Sequence, residues 1–336
     1  MDLFLDIQIE KLSPPIQYNE KILLTGSCFT EHIGGRMDEL KFPVLQNPNG
    51  ILFNPHSVCQ SLLSYVQPEI ITQKDLFQIN EIWHSWNFHS LFSDVDADKA
   101  LTKMNAALNE AHTFLEKARW VIITLGSSFC YRLTHQAVLA NKNLKDIVAN
   151  CHRAPAHWFE KELLTTEEIK ELLENCLKEL KAFNPSLQFI FTISPVRHAR
   201  DGVVENNRSK ARLIEAVHFI TTKFESAYYF PAYELVIDVL RDYRFYDIDL
   251  IHPNYAATDF VFQKFKENCI DEKAKPLMEE LKKLVTASKH KAFHPDTNAH
   301  QQFLKTHYEL AKILQQQYPF LDLKNELKYF TSSQLK

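Results

Sequence analysis

The sequence predicts an α/β fold built on a largely parallel sheet, and three observations carry that expectation. Short apolar runs alternate with amphipathic stretches, the pattern of successive βαβ units. Three of those runs stop at a turn signal, Gly26, Gly126 or Ser194-Pro195. Apolar residues make up 45% and charged residues 24% of the 336, a balance that supplies a sizeable core for one large domain or two.

The elements follow in order. Residues 21–25 (KILLT) read as a first strand, 119–125 (RWVIITL) as a second, 187–193 (LQFIFTI) as a third, and a shorter one falls within 227–230. Helices are expected over 96–118, after Thr165, over 209–224 and over 257–265. In the helix after Thr165, Ile169, Leu172, Leu173, Cys176, Leu177 and Leu180 share one stripe, and Thr165 with Glu168 has the spacing of a capping box. Leu213, Val217, Ile220 and Phe224 form the same kind of stripe. Residues 43–95 are aromatic and irregular and suggest loops, short strands and one helix beside the site. Beyond Asp271 the chain is rich in Lys, Glu and Gln and has no glycine, which predicts two or three helices, one over 301–316. The expected division is a catalytic domain over residues 1–270 and a helical C-terminal extension over 271–336.

Composition excludes several functions. The chain has only 6 glycines, and no GxGxxG or GxxxxGK[ST] can be written with them, which argues against dinucleotide-binding Rossmann enzymes and P-loop NTPases. A net charge of −4 gives no basic surface for nucleic acid. The apolar runs fall short of the ~20 residues of a membrane span. The start MDLFLDIQIEK lacks the basic-then-apolar layout of a signal peptide. The 6 cysteines are scattered with no CxxC pair and read as reduced thiols, so a cytoplasmic location is expected.

In open α/β sheets, ligands bind outside the carboxyl ends of the strands. After the first strand comes Gly26-Ser27-Cys28-Phe29-Thr30, a hydroxyl and a thiol at a strand-to-helix turn, where the helix dipole should favour thiolate at Cys28. A small buried packing residue is the plainer reading of that cysteine. Near the far end, residues 243–254 read YRFYDIDLIHPN, with Asp249 and His252 three apart before a helix. That spacing lets the carboxylate hold one imidazole nitrogen and leaves the other free as a base. A helix-capping histidine is the alternative.

These blocks resemble the SGNH (GDSL) hydrolase superfamily and, more narrowly, the GSCFA family. The resemblance rests on TGSCFTEHIGGRM, NPNGILFNP, TLGSSFCYR, ISPVRHARDG with NNRSKARL, and YFPAYELVIDVLRDYRFYDIDLIHPNYAA. Thr30 stands where the family's naming motif has Ala. The resemblance implies a flavodoxin-like three-layer α/β/α domain with about five parallel strands. It also implies a nucleophile at Cys28, with Ser27 as the fallback, served by Asp249 and His252. Gly50 falls on the glycine whose N–H helps bind an oxyanion. The third block appears as Gly126-Ser127-Ser128-Phe129, so Ser128 replaces an asparagine amide, and losing one such donor costs ~10²–10³ in rate.

Asn54, Ser194 and Arg197 are further candidates for oxyanion or substrate contacts, although Asn and Ser before Pro are ordinary turn residues. Trp83, Trp86, His84 and His89 could line a cleft, and no spacing among them supports a metal. The expected function is hydrolysis or transfer of an acyl group, on a small-molecule or glycan substrate, by Cys28 with the Asp249–His252 dyad. No resident cofactor or metal is expected, and acetyl-CoA is a candidate acyl donor. The alternative is a catalytically degenerate fold that binds carbohydrate or an acylated ligand.

Overall fold

The computed structural model describes residue 5 and residues 7–137 and 147–332; the N-terminal stretch read for a leader lies partly outside them. Five strands pair in parallel as the central sheet: β1 (Lys21–Gly26), β2 (Val44–Gln46), β3 (Ala118–Leu125), β4 (Gln188–Ile193) and β5 (Ala227–Tyr229). Their spatial order is 2-1-3-4-5, one of the two common doubly wound orders. The edge strand β2 was not among the expected ones. It has three residues, all partly exposed, too few to show an apolar run.

Side-chain alternation splits the strands between two cores. Ile22, Leu24, Trp120, Ile122 and Ile190 face one side, where they meet α1 (Cys28–Glu39) through Phe29, Ile33 and Met37. Leu23, Val121, Ile123, Phe189 and Phe191 face the other. There they pack on α2 (Pro55–Val66), α3 (Ala97–Leu115), α4 (Thr166–Phe183) and α5 (Val203–Lys223). The capping box of α4 forms as expected: Thr165 Oγ1 accepts from the N–H of Glu168, and the Glu168 carboxylate accepts from the N–H of Thr165 at 2.7 Å. The carboxyl end of β3 leads into an antiparallel sheet of Phe129–Leu133, Ile147–Val148 and Phe159–Leu163, and a hairpin pairs Phe77–Ile79 with Ile82–His84.

The first face is completed by α6 (Tyr255–Cys269) and by three C-terminal helices, α7 (Lys275–Ser288), α8 (Asn298–Gln317) and α9 (Lys324–Ser332). Leu281, Leu284, Leu304, Leu314 and Phe330 are buried in the same core as Ile33, Met37 and Phe42. Lys41, just past α1, pairs with the nearly buried Glu326 of α9 at 2.6 Å. The helical extension expected beyond Asp271 is present, and its helices share the core of the α1 face. An apolar stripe on a helix shows that something covers it, but not what. Here the cover is the outer face of the α1 layer. Among the described residues no helix is long and apolar enough to cross a membrane.

Removing the chain from Asp271 onward should therefore expose that face and give aggregation or a broadened unfolding transition. Leu281→Ala in the full chain, at a position with no exposed surface, should cost about 2–5 kcal/mol in urea unfolding. A truncated protein that stays monomeric and unfolds cooperatively would contradict the shared core.

Candidate functional site

Strands β1 and β3 are neighbours, but the chain leaves β1 towards β2 on one side, while β3 is followed in space by β4 on the other. The strand order reverses between them, and in such sheets that is the usual ligand position. Ser27 and Cys28 follow β1 there, and Gly126 follows β3. The turn is tight. Gly26 has φ +144°, and a Cβ on it would collide with the carbonyl of Thr124 on β3. Its N–H donates to Asn47 Oδ1 at 2.9 Å, and Ser27 N–H donates to the Thr124 carbonyl at 3.1 Å.

The turn separates the two candidate nucleophiles. Ser27 is buried and caps α1, its Oγ accepting from Phe29 N–H at 3.3 Å. Cys28 opens the helix and is half-buried. Its thiol nevertheless does not behave as the dipole argument expects. Burial pushes its pKa up and Glu31 adds to the rise, while the N–H groups of Cys28 and Phe29 and the Lys210 ammonium pull the other way. Desolvation wins, so the resting group is the thiol.

Asp249 and His252 form the pair that their spacing suggests. His252 Nδ1 lies 2.6 Å from Asp249 Oδ2, and the other carboxylate oxygen accepts from the N–H groups of Ile251 and His252 at 2.9 and 3.0 Å. Those donors hold the Asp249 carboxyl down at about 2, with the imidazole contact the largest cause. Leu250, between them, adopts φ +58°, an unusual conformation for a branched residue. Such strain costs of order 1–3 kcal/mol and gathers at functional turns. No hydrogen bond engages His252 Nε2 among the described residues.

Two contacts bring this loop to the carboxyl edge. Arg197 N–H, beyond β4, donates to the Ile251 carbonyl at 3.2 Å. Arg36 of α1 reaches Asp259 of α6 at 2.6 Å and lies 4.6 Å over the Tyr255 ring. His252 consequently sits within electrostatic reach of His32, one turn into α1, and of His198. Among the described residues it makes no hydrogen bond to the Cys28 sulfur. Arg197 braces the loop: its guanidinium lies 5.4 and 4.7 Å from the Tyr243 and Tyr246 ring centres.

Three expected oxyanion donors are committed elsewhere. Gly50 N–H closes a turn on the Asn47 carbonyl at 2.6 Å. Asn54 caps α2, with Oδ1 accepting from Ser57 N–H at 2.9 Å and Nδ2 donating to Ser57 Oγ at 3.0 Å. Ser128 is buried against α5, its hydroxyl donating to the Ser209 carbonyl at 2.8 Å and its N–H to Ser209 Oγ at 2.7 Å. Ser194 is buried too, and its Oγ accepts from Val196 N–H at 3.3 Å. Trp86 stacks on Phe77 at 3.7 Å in a small separate core. It also lines a cavity of about 310 Å³ with Ser57, Ser61 and Asn87, which includes neither Cys28 nor His252. Among the described residues no group of His, Cys, Asp and Glu could hold a metal.

Lys210 at the edge was not foreseen as a site residue, and His198 takes a different place from the one its loop suggested. Lys210 of α5 is buried and donates from Nζ to the carbonyls of Gly126 and Ser194, both at 2.6 Å. Burial brings its pKa down to about 7. Its signal was present: Lys210 falls three residues before Leu213, on the apolar stripe of its helix. His198, beside Arg197 after β4, reads from the sequence either as a contact for a substrate carboxylate or phosphate or as part of a solvated loop. It lies against the Phe53 ring at 5.1 Å, and burial, then Lys210, push it down to about 4, so it is neutral near pH 7.

The model of the GSCFA family matches residues 21–265, and that of the GSCFA domain protein, C-terminal domain, matches residues 281–335. No curated protein matches the chain.

Two outcomes check this geometry. In carbon-detected NMR the Asp249 carboxyl should titrate near pH 2 and move up towards 3.8 in His252→Ala, stopping short because two backbone donors remain. Because the folded value is the depressed one, the pair's stabilisation is complete above about pH 4 and is lost as the pH falls through 2. Ser128→Ala should cost about 1–3 kcal/mol of stability, since it leaves a buried Ser209 carbonyl short of a donor. A variant as stable as wild type would contradict the structural role.

Proposed function

The chain belongs to the GSCFA family, and on that premise we propose that it transfers or hydrolyses acyl groups through Cys28, as a Cys-bearing relative of the SGNH hydrolases. One observation carries the reading: the 2.6 Å Asp249–His252 pair leaves Nε2 free on the same sheet edge as the Cys28 turn. A thiol kept protonated by burial gives that base a task.

His252 Nε2 takes the Cys28 proton as sulfur bonds to the acyl carbon. Asp249 holds the tautomer and stabilises the imidazolium. The N–H of Cys28, at the open first turn of α1, supports the oxyanion. Collapse expels the alkoxide or thiolate leaving group, which takes the proton from His252. Water or a sugar hydroxyl, deprotonated in turn by His252, then attacks the thioester and releases Cys28. A sulfur nucleophile suits exchange with a thioester such as acetyl-CoA, and a small-molecule or glycan acceptor fits an edge that is open to solvent. The setting proposed is cytoplasmic, where the six free thiols stay reduced.

The commitments of Gly50, Asn54 and Ser128 favour a second reading, a degenerate member that binds a carbohydrate or acylated ligand without turnover. Assays with short-chain p-nitrophenyl esters, and with acetyl-CoA plus sugar acceptors, separate the two. Transfer predicts turnover that falls by up to ~10⁴-fold in Asp249→Asn, following the serine-protease precedent, and at least as far in His252→Ala. Adding Cys28→Ala should lose little more, because these residues act as one unit. No turnover with either substrate class would favour the binding protein.

A further inference from the structure

A buried ammonium is costly unless an opposite charge meets it. Lys210 has 1% of its surface exposed, and its Nζ is held by two neutral carbonyls at the ends of adjacent strands. Among the described residues no carboxylate pairs with it. Gly126, whose carbonyl it holds, packs against the Cys28 turn and the loop after β4: a Cβ there would lie 3.4 Å from Ser27 Cβ and 3.4 Å from His198 Nε2. Cys28 and His198 are thus its titratable neighbours, and the Tyr233 ring lies 5.9 Å from Nζ. His198 is neutral near pH 7, and burial pushes the Tyr233 hydroxyl up, so it is neutral too. Cys28 is therefore the one group in that set that can supply a negative charge. Glu31 faces the sulfur from the next turn and opposes its ionisation.

We propose that Lys210 is the fixed counter-charge of the Cys28 site. Its ammonium ties the Gly126 and Ser194 turns together and stabilises the thiolate that Cys28 forms when it attacks. The inference rests on the reading of Cys28 as nucleophile and adds a positioning residue to it. Lys210 touches no substrate and acts through sulfur. Ionisation is then a property of the pair: each charge favours the other, so removing either partner shifts the other's titration. Neutral Lys210, which becomes the main form above about pH 7, gives no such help. The effect is confined to lower pH.

The test measures alkylation of Cys28 by iodoacetamide, located by peptide mapping, from pH 6 to pH 10 in the full-length protein. Sulfur bonds to the methylene carbon as iodide leaves, so the rate follows the thiolate fraction. Lys210→Met should react about tenfold more slowly at pH 7, equivalent to one unit in the thiol pKa, and the two profiles should converge towards pH 10. A folded variant with an unchanged profile, or one slowed equally at every pH, overturns the proposal. If Lys210→Met does not fold, the reciprocal measurement decides. With ¹⁵Nζ-labelled lysine, alkylating Cys28 with iodoacetate, which leaves a permanent negative charge on that side chain, should raise the midpoint of Lys210 relative to the neutral iodoacetamide adduct, and coincident curves overturn the proposal. Neither experiment needs an ester substrate. Failure of turnover would thus count against acyl transfer alone, and unchanged titrations against Lys210 alone.

Discussion

The parallel pairing of β1 with β3 is the constraint on which the site depends. Because the chain diverges after these two strands, their carboxyl ends lie side by side where the strand order reverses. Close approach then dictates the residues. Only glycine fits at Gly26 against the Thr124 carbonyl, and the next residue must turn into α1, so Ser27 caps the helix and Cys28 becomes its first residue. Lys210 reaches up from α5 to hold the ends of β3 and β4 in the same register. The Asp249–His252 loop arrives last, fastened by Arg197 beyond β4 and by the packing of α6 along α1.

Opposing electrostatic effects meet at this edge, and their order sets its chemistry. Burial raises the Cys28 thiol more than the helix N-terminus and Lys210 lower it. The same burial keeps His198 neutral and weakens the charge on Lys210. Asp249, open to solvent, goes the other way, because three donors converge on it. At rest the edge holds the Asp249 carboxylate beside a neutral Cys28 thiol and a neutral His198, and the proposed attack would add charge when Cys28 gives up its proton. A base that is oriented in advance and a cation that is already buried spare much of the reorganisation this would otherwise need.

Much of this edge was legible in the sequence because turn residues mark where strands stop. Gly26 ends β1, Gly126 and Ser194 follow β3 and β4, and Asp249 with His252 forms a pair that spacing alone suggests. Features that depend on what lies across the fold were not legible. Gly50, Asn54 and Ser128 fall at motif positions, but their donors are claimed by Asn47, Ser57 and Ser209. The Lys-, Glu- and Gln-rich composition beyond Asp271 pointed to helices, but not to the α1 layer as the partner on which they pack. The strand Phe159–Leu163, sequence FEKEL, has three charged residues in five and shows no apolar run. Lys210 was hidden by the opposite error, a charged residue on an apolar stripe that passes for the polar start of a helix.

The central claim is that Cys28 carries the acyl group between two attacks. Brief incubation with p-nitrophenyl acetate, an acid quench and intact-protein and peptide mass spectrometry test it directly. The account predicts one acetyl group on Cys28, accumulating much more slowly in His252→Ala and absent from Cys28→Ala. Acetylation at Ser27 or at another cysteine, or equal labelling of Cys28 with and without His252, would contradict it.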